Sequence, residues 1–250
     1  MDPVVAKLLG FGMVLTRTSA FFLVLPVFGW RSIPRNIKVA ATVLTSVFFS
    51  ITVPFSTGPE PISTFEAILL LGIEAVYGFT LGLIAALVFY AVRLSGNIIE
   101  QQMGFTMAQI LDPLTGESAQ PLGMFFEMIF IILFLSANGH HLFLLALNRS
   151  YQAFPAGSMP TVPVLVQGVV EAGSTLLVAG LRLAAPLLAA FLLLMVVLAV
   201  LARIAPEMNI LFISFPLRVG LGLLLIGILL PFINAFVAEF ADWMGVLLPL

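Results

Sequence analysis

The chain has 250 residues, of which 61% are hydrophobic and only 9% are charged. Soluble domains contain roughly 45–50% apolar and about 25% charged residues. One core of this size cannot hide so much apolar surface from water, so most of that surface has to face lipid or other protein. This composition excludes a soluble enzyme. The net charge of −2 offers no positive field for a nucleic acid, and the absence of cysteine excludes disulfide scaffolds, thiolate metal sites and cysteine nucleophiles.

Six apolar runs approach the roughly 20 residues that a helix needs to cross a bilayer. We therefore predict an all-α integral membrane protein of about six hydrophobic helices. Ser150–Val170 is also free of charge, but its three prolines indicate a connector, followed by a short helix from about Val164. The six runs are Val4–Trp30, Val39–Pro59, Ala75–Val92, Met128–Asn148, Leu183–Ala202 and Val219–Ala238.

The first run could be mistaken for a cleaved signal peptide. Arg17 interrupts it and apolar sequence resumes through Phe28, so we expect residue 1 to remain in the mature chain. The orientation follows from basic residues near the ends of the runs. The first connector holds Arg31, Arg35 and Lys38 and no acid. Odd-numbered connectors are therefore expected on the cytoplasmic side, with both termini outside.

Few residues point to chemistry. Adjacent His140 and His141 diverge by about 100° on a helix, so they cannot both face one metal ion. They follow Asn138-Gly139, which predicts a helix break. The spacing of Gly78 and Gly82 lets a neighbouring backbone approach closely. We predict no enzyme, no metal site and no cofactor.

Some charged residues fall within apolar sequence, where they are costly unless they face protein or water. One interpretation makes them an ion or proton path of a transporter. The other, which we favour, pairs them between helices or places them at the ends of spans. These residues are Arg17, Glu74, Glu127, Arg182 and Arg218.

The stretch from Arg93 to Leu122 is unusual because it begins like a helix and then becomes irregular and apolar. A connector in solvent should not carry Met103, Phe105 and Ile110. We predict an irregular apolar loop near 103–121 that is packed inside protein, with an interfacial or re-entrant segment as the alternative. Irregular backbone at membrane depth persists only where it is buried or lines a cavity.

Four blocks in order resemble the R-protein family of the flagellar export gate (the FliR family), which has counterparts in virulence-associated type III secretion systems. The resemblance covers nearly the whole chain. The blocks are PVFGWRSIPRNIK at Pro26–Lys38, GNIIEQQMGFT at Gly96–Thr106 running to Asp112-Pro113, FLSANGH at Phe134–His140 and LARIAPEMNILFISFP at Leu201–Pro216.

The resemblance implies a P-subunit-like helical part over residues 1–160 and a Q-subunit-like helical hairpin over residues 164–250. The tip of that hairpin would carry Arg203, Pro206, Glu207 and Asn209 and would face the cytoplasm, as the basic loop is expected to do from its charges. It further implies that part of the 103–121 loop plugs the closed channel. The plug residues would be Met103, Gly104, Phe105, Thr106, Met107, Ile110, Asp112 and Pro113.

The resemblance also implies partners and a location. The chain would close, as a single copy, a helical assembly of P-like and Q-like subunits in the bacterial inner membrane at the flagellar basal body. Further partners would be the B-type switch protein, other export-apparatus membrane proteins, exported unfolded proteins and lipid, but no nucleic acid. The alternatives are the T subunit of a virulence-associated system and a polytopic small-molecule transporter subunit.

Overall fold

The computed structural model describes residues 3–29, 33–53, 63–105, 120–158, 162–207 and 209–247. Every regular element in these ranges is a helix, which confirms the predicted all-α class. The helices are α1 Pro3–Val24, α2 Pro26–Gly29, α3 Arg35–Thr52, α4 Thr64–Met103, α5 Pro121–Ser136, α6 His140–Ala153, α7 Val162–Ile204 and α8 Ile210–Leu247.

Helix α4 is much longer than the apolar run Ala75–Val92 that predicts it, with 40 residues. It begins at a capping box, in which the Ser63 N–H donates to Glu66 Oε2 at 2.8 Å and the Glu66 N–H donates to Ser63 Oγ at 3.2 Å. At its other end it continues through the polar turns after Arg93, because those residues pack against helix α5.

Helix α7 corrects the prediction of a connector followed by a short helix. It begins at Val162, includes the predicted run Leu183–Ala202, and has 43 residues. Pro163 lies in the first turn, where a missing N–H costs no hydrogen bond. Pro186 lies inside the helix, and membrane helices tolerate interior proline better than soluble ones do.

The predicted run Met128–Asn148 does not form one helix. Helix α5 ends at Ser136 and helix α6 begins at His140, so the predicted break at Asn138-Gly139 is confirmed. Asn138 has a left-handed backbone with φ 59°, which asparagine tolerates better than most residues. Helix α6 then continues to Ala153, so the following connector is shorter than predicted.

The described parts of all six predicted runs are mainly helical, but these helices are not equivalent as membrane spans. Among the described residues, three helices are long and apolar enough to cross a membrane: Lys7–Val24 within α1, α4 and α7. A fourth span results if α5 and α6 count as one interrupted span. Helix α3 is not among these candidates and has Arg35 and Lys38 in its first turn.

The chain folds into two compact units, each with its own core. The first unit comprises Met1–Val88, Asn138–Ser174 and Phe240–Leu250, and the second comprises Phe89–Ala137 and Thr175–Glu239. Helices α4 and α7 each contribute residues to both units. The division into a P-like part at 1–160 and a Q-like hairpin at 164–250 stays a prediction.

Candidate channel elements and their supports

An ion pair lies at the centre of the first unit. Arg17 of α1 donates from Nε to Glu74 Oε2 at 2.6 Å and from Nη2 to Glu74 Oε1 at 3.0 Å. Both side chains are buried, with 0% and 1% of their surface exposed. This bidentate geometry matches the planar guanidinium to the carboxylate. The prediction that these two charges pair between helices is confirmed.

The remaining donors of Arg17 bind the C-terminal end of α6. Nη1 donates to the Ser150 carbonyl at 3.2 Å and to the Phe154 carbonyl at 2.9 Å. The last carbonyls of a helix lack intrahelical partners and carry a partial negative charge. The Ser150 carbonyl already accepts the Phe154 N–H, so Arg17 gives it a second donor and supplies a donor to the Phe154 carbonyl.

Two aromatic rings enclose the guanidinium. Its central carbon lies 4.6 Å from the ring centroid of Tyr77 and 4.3 Å from that of Tyr151, which are cation–π distances. The Gly157 N–H completes the group by donating to Glu74 Oε1 at 2.9 Å. We call Arg17, Glu74, Tyr77, Tyr151 and Gly157 the Arg17 cluster; it joins α1, α4, α6 and the turn after α6.

The backbone of α1 lies directly against two glycines of α4. A Cβ at Gly78 would collide with the Arg17 carbonyl oxygen, and one at Gly82 would lie 2.7 Å from the Phe21 carbonyl oxygen. The helices therefore touch through their main chains, as small residues one turn apart permit. Glu74 lies one turn before Gly78 on α4. The contact between the two backbones therefore also fixes where Arg17 lies along α4 relative to Glu74.

In the second unit, α5 runs antiparallel to the C-terminal part of α4. The ring of Phe89 lies 5.3 Å from those of both Phe130 and Phe134. One turn further, Arg93 Nη1 lies 3.4 Å from Glu127 Oε2. Later α4 residues thus meet earlier α5 residues, so the two helices form a hairpin whose connection is the segment 104–120.

The described part of the predicted plug lies where α4 ends. Met103 is buried, and its thioether packs against Gly222 of α8. Gly104 adopts φ +85°, a left-handed conformation that side chains rarely take, and Phe105 is half-buried. The other predicted plug residues lie outside the described residues: Thr106, Met107, Ile110, Asp112 and Pro113.

The predicted basic loop is partly described. Arg35 and Lys38 lie in the first turn of α3, where Arg35 is exposed, and Arg31 lies outside the described residues. Positive charge at a helix N-terminus opposes the helix dipole. These residues therefore do not stabilise α3, and the cytoplasmic orientation inferred from them stays a prediction.

The predicted hairpin tip is a short break between α7 and α8. Arg203 lies in the last turn of α7, where a cation is favourable, and Pro206, Glu207 and Asn209 are exposed. Close to the tip, Arg218 of α8 is half-buried and lines an open cavity of about 360 Å³ together with Met195, Leu198 and Ser214.

Comparison with known proteins decides the family. Residues 8–243 match the family described as bacterial export proteins, family 1. The chain belongs to this family.

The curated relatives of this export protein come mostly from flagellar systems. It is 31% identical over 220 residues to the flagellar biosynthetic protein FliR of Pectobacterium carotovorum, which covers 88% of this chain and 84% of the relative. The FliR of Escherichia coli K12 is also 31% identical, over 222 residues. The Yop proteins translocation protein T of Yersinia pestis is 28% identical over 228 residues, covering 90% and 87% of the two chains.

The family match includes both compact units, and therefore both the Arg17 cluster and the α4–α5 hairpin of this export protein. Sequence reasoning found Arg17 and Glu74 but missed Tyr77 and Tyr151 as their neighbours. The useful signal was a single charge in an otherwise apolar run. The tyrosines carried no comparable signal, because aromatic residues are common in apolar helices of every kind.

Proposed function

We propose that this chain is a structural channel subunit of the flagellar type III protein export gate. The observation that carries the proposal is the family match over residues 8–243 together with two flagellar relatives at 31% identity. The structure also weighs against the small-molecule transporter alternative. The charges buried in the first unit pair with one another, so no unpaired charge in the Arg17 cluster is left to bind a transported ion.

We further propose that the chain closes an assembly of P-like and Q-like subunits in the bacterial inner membrane, at the basal body, next to the B-type switch protein. The proposal of partner subunits is supported by helix α7, which exposes an apolar surface along much of its length. Such a surface needs lipid or other helices to cover it. The exposed residues include Leu177, Val178, Leu181, Leu192, Leu193, Val196, Val197 and Val200.

Expression of the chain with and without P-like and Q-like subunits tests this assembly. The exposed surface of α7 predicts aggregation or degradation of the chain alone, and a stable detergent-soluble complex when the three subunits are expressed together. A folded, monodisperse chain without partners would contradict the proposed assembly.

The segment that begins at Met103 is proposed to plug the closed channel. Met103 and Phe105 have adaptable or bulky apolar side chains, and methionine fills irregular gaps well. The left-handed Gly104 turns the chain out of α4 at this point. A plug has to leave when a substrate arrives, so adaptable packing suits it better than a rigid core.

Replacing Phe105 and Met107 with glycine tests the plug. The double variant should still co-purify with its partners, but the closed channel should conduct ions or small solutes, because apolar volume has been removed. Membrane permeability of cells that express the variant complex measures this. A tight channel in a correctly assembled variant would contradict the plug role.

Deleting the coding sequence in the bacterium that carries it separates the flagellar function from the virulence alternative. The flagellar proposal predicts cells without filaments that regain motility when the intact chain is supplied. The Yersinia relative at 28% identity makes the alternative specific. Intact motility with loss of secreted virulence effectors would assign the chain to that system instead.

A further inference from the structure

A buried carboxylate lies at the point where α4 meets the beginning of α5. Glu100 is only 4% exposed. Its Oε2 accepts a hydrogen bond from the Leu122 N–H at 3.0 Å, and the Gly123 N–H interacts with the same carboxylate. Among the described residues, no lysine or arginine forms an ion pair with Glu100. The positive counterpart of this acid is therefore the N-terminus of a helix.

The described residues at the N-terminus of α5 provide no local side-chain cap. Its N-cap residue, Gln120, makes no side-chain capping hydrogen bond, and Pro121 at the first position has no N–H to offer. Leu122 and Gly123 therefore supply the first free N–H groups of the helix. Those groups need an acceptor when they are buried, and Glu100 provides it from a different helix.

The surrounding contacts show that this arrangement depends on close backbone packing. A Cβ on Gly96 would lie 2.7 Å from the Gly123 Cα and 2.8 Å from the Leu122 carbonyl oxygen. A Cβ on Gly123 would collide with Asn97 Oδ1. The two glycines thus bring the first turn of α5 against α4, and this proximity places its N–H groups within reach of Glu100.

We propose that Glu100 is a positioning residue of the export gate. Its carboxylate caps α5 from α4 and thereby holds the two ends of the segment 104–120 beside each other. The cap is supported by the geometry of the described residues alone. Its consequence for channel closure rests on the proposed function, because that proposal assigns the plug to the segment between the two ends.

The charge of Glu100 matters as well as its shape. A carboxylate accepts hydrogen bonds that are stronger than those of a neutral oxygen, and it interacts favourably with the partial positive charge of a helix N-terminus. Glu100→Ala removes both contributions and leaves buried N–H groups without an acceptor. Glu100→Gln keeps one carbonyl oxygen at nearly the same place, so it should retain part of the cap.

Hydrogen–deuterium exchange of the assembled complex tests the cap directly. In Glu100→Ala the amides of Leu122 and Gly123 should exchange on the order of tenfold to a hundredfold faster, as expected for loss of a hydrogen bond to a charged group. Glu100→Gln should lie between this variant and the unaltered chain. The matched control is Glu127→Ala, which removes a carboxylate from the same hairpin but should leave the exchange of the first turn of α5 unchanged.

Ion permeability of the closed channel tests the consequence. Glu100→Ala should leak, Glu100→Gln should leak less, and Glu127→Ala should remain tight while all three variants co-purify with their partners. Unchanged exchange in Glu100→Ala would overturn the cap. A leak in Glu127→Ala equal to that in Glu100→Ala would overturn the positioning role, since general loosening of the hairpin would explain both.

The two measurements separate the inference from the function on which it rests. Faster exchange in Glu100→Ala with a tight channel would keep the cap and remove the gating role of the segment it holds. If Glu100→Ala does not assemble, Glu100→Gln decides, because it changes the charge with little change in volume. Exchange and permeability of that variant identical to those of the unaltered chain would overturn the proposal.

Discussion

Helix α4 buries two carboxylates, and their surroundings differ. Glu74 in the first unit is bound by the Arg17 guanidinium and by one N–H group. Glu100 in the second unit is bound through N–H groups of a helix N-terminus, without a cation. Removing Glu74 therefore leaves a buried charge alone, whereas removing Glu100 leaves only polar groups unpaired. The Glu74 arrangement holds several elements of the first unit together, and the Glu100 arrangement holds only the first turn of α5.

The largest effect is expected from Glu74→Ala. It leaves the Nε and Nη2 donors of Arg17 without acceptors in a site with no exposed surface. Breaking a buried ion pair in this way typically costs about 3–5 kcal/mol. Glu100→Ala should cost less, about 1–3 kcal/mol. Thermal unfolding of the purified complex, followed by size-exclusion chromatography after heating, measures the difference.

Glu66→Ala is the control for this comparison, because Glu66 is an exposed acid of the same helix whose bonds are confined to its capping box. Its loss should lower the unfolding temperature less than the loss of either buried carboxylate does, because solvent can replace its bonds. A loss in Glu74→Ala no larger than that in Glu66→Ala would show that the Arg17 cluster does not hold the first unit together.

An intermediate effect is expected from Gly78→Ala. The added methyl group would meet the Arg17 carbonyl oxygen, and a backbone can yield only if the whole of α1 moves. Overpacking of this kind should cost about 3 kcal/mol, because the added methyl group meets main-chain atoms that cannot change rotamer. Gly72→Ala, on the same helix, meets nothing within 4 Å and should be neutral or stabilising by up to about 1 kcal/mol. Equal unfolding temperatures for the two variants would contradict the main-chain contact.

The smallest effect is expected from Gly222→Ala in the second unit. The new methyl group would lie 2.6 Å from the Met103 sulfur. A thioether can change rotamer, so the cost should stay below about 1.5 kcal/mol. Gly227→Ala meets nothing within 4 Å and serves as its control in the same unfolding assay. A loss in Gly222→Ala as large as that in Gly78→Ala would show that Met103 is held rigidly, and would weaken the idea of adaptable packing.

Local sequence signals predicted the local features of this fold. Asn138-Gly139 indicated a break because asparagine and glycine accept left-handed backbone, and Asn138 has φ 59°. The lengths of α4 and α7 were underestimated for a different reason. The run Ala75–Val92 marks only the hydrophobic part of α4, whereas the helix-like polar residues after Arg93 continue the helix and pack against α5. Hydropathy records how favourably residues leave water, and it does not distinguish a helix covered by lipid from one covered by protein.

Local sequence signals could not predict which residues pair when those residues are far apart in the sequence. Arg17 and Glu74 are separated by 57 residues, and no sequence spacing connects them. Glu100 looked like one more polar residue at the end of a helix. Its role becomes visible only when α5 is seen to lack a side-chain cap from Gln120 and an N–H group at Pro121. Both cases require knowledge of which helices are neighbours.

The Arg17 cluster also constrains the order in which the protein can be made. The Phe154 carbonyl, which accepts a hydrogen bond from Arg17, is 137 residues further along the chain than Arg17. At 5–20 residues per second, a ribosome needs between about 7 s and about 27 s to synthesise that stretch. During this interval Arg17 has already emerged in an apolar segment without its final partners. The first helix therefore cannot settle into its native surroundings as soon as it is synthesised, and the first unit closes only after α6 has been delivered to the membrane.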